Sequence, residues 1–110
     1  MNPSSKLSAI AREITAQIVE RIHPERVILF GSVARGGANE NSDIDLFIVA
    51  ETEKTFPSRM SPIHDILHEM HFPCSVESII YTPDEFKKAQ EKGSIFVHEV
   101  LTTGRVLYGS

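Results

Sequence analysis

The chain has 110 residues, 41% of them hydrophobic and 24% charged, with a formal net charge of −4 at pH 7. That length predicts one domain spanning residues 1–110, and the composition is that of a folded protein rather than a disordered one. The acidic balance argues against a sequence-independent grip on a nucleic-acid backbone, so direct nucleic-acid binding is not expected. Cys74 stands alone, which rules out an intrachain disulfide and fits a reducing compartment. The longest apolar run, Leu46 to Ala50, is far shorter than a membrane span, and no secretory h-region follows Met1. A cytoplasmic location with no membrane partner is the expectation.

In chain order, Leu7, Ile10, Ile14, Ile18 and Ile22 recur at steps of three and four, widened by Ala11 and Val19. This predicts an amphipathic helix, capped by Ser4 or Ser5 and ended by Pro24. Val27 to Phe30 is a continuous apolar run, suited to a strand buried on both faces. Gly31 permits a tight turn, and Val33 to Gly36 predicts a brief helix. Asn39-Glu40-Asn41-Ser42 is turn chemistry.

Residues 43–49 predict a second strand. Alternation puts Asp43, Asp45, Phe47 and Val49 on one face and Ile44, Leu46 and Ile48 on the other, toward a core. Residues 51–61 are polar, carry Pro57, and read as a loop. Ile63, Ile66, Leu67 and Met70 mark a helical face, with Pro62 in its first turn and Pro73 beyond its end. Residues 75–81 predict a third strand, with Glu77, Ile79 and Tyr81 opposite Val76, Ser78 and Ile80. Thr82-Pro83-Asp84-Glu85 has the form of a capping box. Ser94 is placed to cap a last helix through Leu101, with Gly104 ending it, and Val106 to Tyr108 reads as a short apolar tail.

The chemistry concentrates in residues 31–46, which run from a Gly-Ser turn behind an apolar strand to paired aspartates at the head of the next. A turn of backbone N–H groups suits phosphate. Paired carboxylates suit magnesium, which keeps waters and substrate phosphates as its other ligands. Gly31 lets the chain approach a phosphate closely, and Ser32 offers a hydroxyl and an N–H. Arg35 and Ser42 complete the candidate nucleotide contacts. Asp43 and Asp45 are the candidate metal ligands and catalytic carboxylates. Glu77, the only acidic residue in the third apolar run, is the candidate third member. His64, His68 and His71, spaced by four and three near Cys74, do not match an established zinc motif and read as a solvated helix face.

The stretch from Gly31 to Leu46 resembles the signature of the DNA polymerase beta-like nucleotidyltransferase superfamily, and the whole chain resembles its minimal prokaryotic branch. The Thr82 to Phe86 segment and the Gly104 to Tyr108 end are similar as well. The resemblance implies an α+β palm, a small mixed sheet with helices packed against it. It implies that Gly31 and Ser32 contact triphosphate and that Asp43 and Asp45 bind magnesium, with two ions expected and ATP as substrate. The third family carboxylate is usually aspartate, and the matching position here holds Glu77.

Members of this size resemble antitoxins that act beside a HEPN-domain toxin, some of them by moving AMP from ATP onto that toxin. The resemblance therefore implies a protein acceptor, since the chain has no room for an acceptor domain. Two expectations follow: an enzyme transferring AMP to a protein hydroxyl, or a non-catalytic antitoxin that neutralises its partner by contact. Apolar residues of the last third, Phe96, Val97, Leu101, Val106, Leu107 and Tyr108, are expected to divide between the core and a surface for a helical partner or a second copy.

Overall fold

A computed structural model describes residues 2–55, 58–72 and 74–109. The first helix, α1, runs Pro3–Ile22. Its cap is Asn2, not Ser4 or Ser5: the Asn2 Oδ1 accepts the Ser5 N–H at 2.8 Å, and Pro3 fills the first helical position. Ser4 is instead buried, and its Oγ accepts the Ala38 N–H at 3.0 Å. The helix ends at His23, whose left-handed backbone returns its N–H to Val19 O.

Strand β1 (Arg26–Phe30) leads directly into a one-turn helix, α2 (Gly31–Arg35), two residues earlier than the periodicity predicts. Asn39 and Ser42 bond each other across the next turn, and strand β2 (Ile44–Val49) follows. A 3-10 turn over Ser58–Met60 precedes α3 (Ser61–Met70). Pro57 and Pro73 lie outside the described residues. Strand β3 (Val76–Tyr81) is followed by α4 (Pro83–Glu91) and α5 (Ile95–Thr103). The predicted apolar tail is a fourth strand, β4 (Arg105–Tyr108).

Among the described residues the sheet order is β3-β2-β1-β4. The β1–β2 and β1–β4 pairs are antiparallel, and β2–β3 is parallel. A parallel pair needs a long crossover, and the 3-10 turn with α3 supplies it.

Strand alternation divides the core in two. Val27, Leu29, Ile44, Leu46 and Ile48 pack under Leu7, Ala11, Ile14 and Ile18 of α1 and Ile63 and Ile66 of α3. Ile28, Phe47 and Val49 pack under Phe86 of α4 and Val97 and Val100 of α5. The face that carries Asp45 is thus itself a core beyond that residue. Phe47 is its centre, with its ring 5.1 Å from Tyr81, 5.7 Å from Phe86 and 6.0 Å from Phe96. Of the last-third apolar residues, Phe96 and Val97 join this cluster and Leu107 packs on the other, while Leu101, Val106 and Tyr108 stay exposed along with Ile95.

The loop read as merely polar holds a structural residue. Arg59 is 7% exposed. Its guanidinium donates to both oxygens of Glu85 at 2.5 and 3.0 Å, to Lys54 O at 2.7 Å and to Ile80 O at 3.2 Å. A buried guanidinium is tolerable because its donors are used. Glu85 also closes the capping box, accepting the Thr82 N–H while its own N–H donates to Thr82 Oγ1. One carboxylate therefore ties the loop, the end of β3 and the start of α4 together.

Candidate active site

The candidate site lies where β1 ends and β2 and β3 begin. Strand register sets it. Asp45 pairs with Phe30 on antiparallel β1 and with Glu77 on parallel β3. Partners in register project to the same sheet face, so Glu77 shares the face of Asp45. Ile79 and Tyr81 continue that face into the core beside Phe47. Glu77 and Asp43 are exposed, and Asp45 is half-buried.

Gly31 is the backbone counterpart of this cluster. Its φ is +76°, a conformation that L side chains rarely adopt. A Cβ built on Gly31 would run into the Asp45 Oδ2 oxygen and stand 3.2 Å from its Cγ. The absent side chain is what lets the turn lie against the carboxylate. Phe30 occupies the cap position of α2, and no side chain caps the helix. At its other end Gly36 and Gly37 donate to Ser32 O, closing the turn.

Burial pushes the Asp45 carboxyl up from its ordinary pKa, and the neighbouring charges of Glu77 and Asp43 push it further, with Arg35 opposing. Three carboxylates and one arginine therefore act on one another electrically. Burial also raises the Cys74 thiol, with Asp43 adding to it. Ser42 serves locally, its Oγ accepting the Asn39 N–H at 2.9 Å. Beside Glu77, the Ser78 Oγ is buried with no hydrogen-bond partner among the described residues. Sequence alternation gives no sign of that orphan. A cavity of about 330 Å³ lies here, bordered by Met60, Ile63, His64 and residues 76–79.

The donor set can be tested against a magnesium ion. Among the described residues no three His, Cys, Asp or Glu side chains form a ready-made cage. Magnesium does not ask for one: it takes one or two carboxylates and completes its shell with water and phosphate oxygens. Asp43, Asp45 and Glu77 are hard oxygen donors. Their mutual repulsion is what a cation would relieve, so the residues fit the ion.

Beyond the site, residues 12–110 match the family model described as Polymerase beta, Nucleotidyltransferase. The chain belongs to this family. It is a nucleotidyltransferase with the family's mixed sheet and packed helices. It is 28% identical over 110 residues to MJ0604 of Methanocaldococcus jannaschii, provisionally named a protein adenylyltransferase, covering 98% of this chain and all of that one. A provisionally named nucleotidyltransferase from Sulfolobus solfataricus superposes with a TM-score of 0.67 at 20% identity, over 97% of this chain and 84% of that one. A toxin–antitoxin crystallised with AMP-PNP gives 0.64 at 20% identity, over 90% and 73%. The toxin–antitoxin MntA–HepT gives 0.57 at 19% identity, over 89% and 68%. At these identities the structural likenesses speak for the fold. Among the described residues no helix is long and apolar enough to cross a membrane.

Proposed function

We propose that this nucleotidyltransferase moves AMP from ATP onto a hydroxyl of a partner protein, and that it is the antitoxin of a pair whose toxin is a HEPN-domain protein. The observation that carries the reading is the placement of Asp45 in register with Glu77 and against Gly31. The similarity to MJ0604 supports a protein acceptor, and the fold shared with two toxin–antitoxin structures is consistent with the antitoxin role.

In this reading Gly31 and Ser32 hold the triphosphate and Arg35 adds positive charge beside it. Asp43, Asp45 and Glu77 would hold magnesium, which when bound supplies the charge that neutralises the phosphates. The acceptor oxygen attacks the α-phosphorus, the bond from that phosphorus to its bridging oxygen breaks, and pyrophosphate leaves. Glu77, which is exposed, would take the acceptor's proton in this reading. Ser42, whose Oγ accepts the Asn39 N–H in the turn that precedes Asp43, is a further nucleotide contact in this reading. The exposed apolar side chains Ile95, Leu101, Val106 and Tyr108 offer the surface for the partner or for a second copy.

The experiment is incubation with ATP, magnesium and the product of the neighbouring gene, followed by intact mass. The expected result is a gain of one AMP on that product, lost in Asp43→Asn/Asp45→Asn. Glu77, standing where the family usually has aspartate, favours a second reading, a contact antitoxin with a silent site. Neutralisation of the toxin by the double variant as fully as by the natural chain would select it.

A further inference from the structure

A groove of about 520 Å³ lies between α1, α2 and β4, apart from the carboxylate face. Ser5, Ser8, Ala9 and Arg12 of α1 form one wall, with Arg35 and Arg105 opposite. Three guanidinium groups border one space, and none of its described lining residues is acidic. In a chain of net charge −4 this is a local reversal that net charge conceals. Arg12 makes no hydrogen bond or ion pair with a described residue, while Arg105 is anchored by donating to Ser8 Oγ at 3.1 Å and Val33 O at 3.5 Å.

Unpaired like charges drawn together call for an oxyanion partner, and the guanidinium fork takes carboxylates two oxygens at a time. The apolar lining is Ala9, Val33 and Ala34, with no aromatic ring on which a base could stack. The α1 wall from Asn2 to Arg12 is about 15 Å long at 1.5 Å per residue, the span of roughly four to five extended residues.

We propose that this groove binds an acidic, extended peptide segment of the protein that accepts the nucleotide, its Asp or Glu side chains pairing with Arg12 and Arg105 while Arg35 serves the triphosphate. This rests on the reading that the acceptor is a protein.

The test is titration of the full isotope-labelled chain with a hexaglutamate peptide, followed by NMR shifts, with tripolyphosphate and hexauridylate as competing probes. Hexaglutamate is expected to shift resonances around residues 12 and 105, more weakly as salt rises. Arg12→Glu should weaken it about tenfold, with Arg12→Lys between, while ATP affinity and melting temperature stay unchanged. Equal peptide affinity in Arg12→Glu, loss of ATP affinity with it, or tighter groove binding by tripolyphosphate or hexauridylate would each overturn the proposal. Binding is read without turnover, so failure of the groove and failure of AMP transfer are separate results.

Discussion

Asp45 and Glu77 stand side by side in register on parallel strands, two carboxylates on one sheet face. Adjacent strands lie about 4.8 Å apart, so the pair repels unless a cation lies between or one carboxyl holds a proton. Such an arrangement costs stability, and in this family that cost fits function better than packing.

Glu77→Gln removes one charge of the pair and keeps the shape. Thermal unfolding without metal is expected to show unchanged stability or a gain of roughly 0.2–1 kcal/mol, the size of a cross-strand charge term. AMP transfer should fall by about 100-fold or more, as when a group serving transition-state charge is lost. A variant that melts lower and transfers normally would remove Glu77 from the cluster.

Gly31→Ala and Gly36→Ala form a matched pair. Both glycines have positive φ, +76° and +79°, but a Cβ meets Asp45 at the first and open space at the second. Gly36→Ala should cost about 1–2 kcal/mol from backbone strain alone. Gly31→Ala should cost more and also weaken ATP binding measured by calorimetry, because Asp45 must move. Equal effects on both stability and binding would contradict the close approach.

Glu85 adds an acid-sensitive contribution to the fold. The bonds from Arg59 hold its carboxyl down to about 2, against an ordinary 4.5. A depressed folded pKa gives stability that is present above the unfolded value and lost as pH falls from about 4.5 toward 2. Glu85 is partly exposed, so after solvent screening the contribution is about 1–2 kcal/mol. Glu85→Gln should lower the melting temperature at pH 7 and flatten its fall between those limits. Parallel curves for variant and natural chain would refute this.

Gly104→Ala tests a different use of glycine. The helix ends there as the sequence predicts, but with extended backbone rather than a left-handed cap. The residue is small because a Cβ would collide with Val100 O and Ile28 Cγ2. The substitution is expected to cost about 1–3 kcal/mol in denaturant unfolding, as overpacking does.

Strands β1 to β3 and helices α1 and α3 to α5 were legible because periodicity reports which side chains are buried. So was the place of Asp45 on the face of Phe47 and Val49, which needs only alternation, whereas Asp43, read as the first strand residue, lies just before β2. Pairing was not legible. Whether Glu77 meets Asp45 depends on β2 and β3 being parallel neighbours in one register, a fact held by a crossover and not by either strand. Arg59 was hidden for a like reason, since its partners Glu85 and Ile80 come from later elements. The Arg12, Arg35 and Arg105 groove needs three elements to converge, which net charge cannot report. Ser4 and Asn2 were confused because both are good caps, and only packing against Ala38 separates them.

The crossover between β2 and β3 also has a temporal side. Antiparallel β1 and β2 are joined by residues 31–43, half the length of the 50–75 crossover, and can pair earlier, bringing Gly31 against Asp45 as they do. Glu77 joins only after the loop, the 3-10 turn and α3 have been laid across the sheet, a slower event because a long chain segment must close first. During synthesis the nascent chain therefore presents two aspartates and a phosphate-type turn before it presents a third carboxylate. A chain cut within that loop keeps the same early half, and its two fragments must find each other before the carboxylate cluster exists.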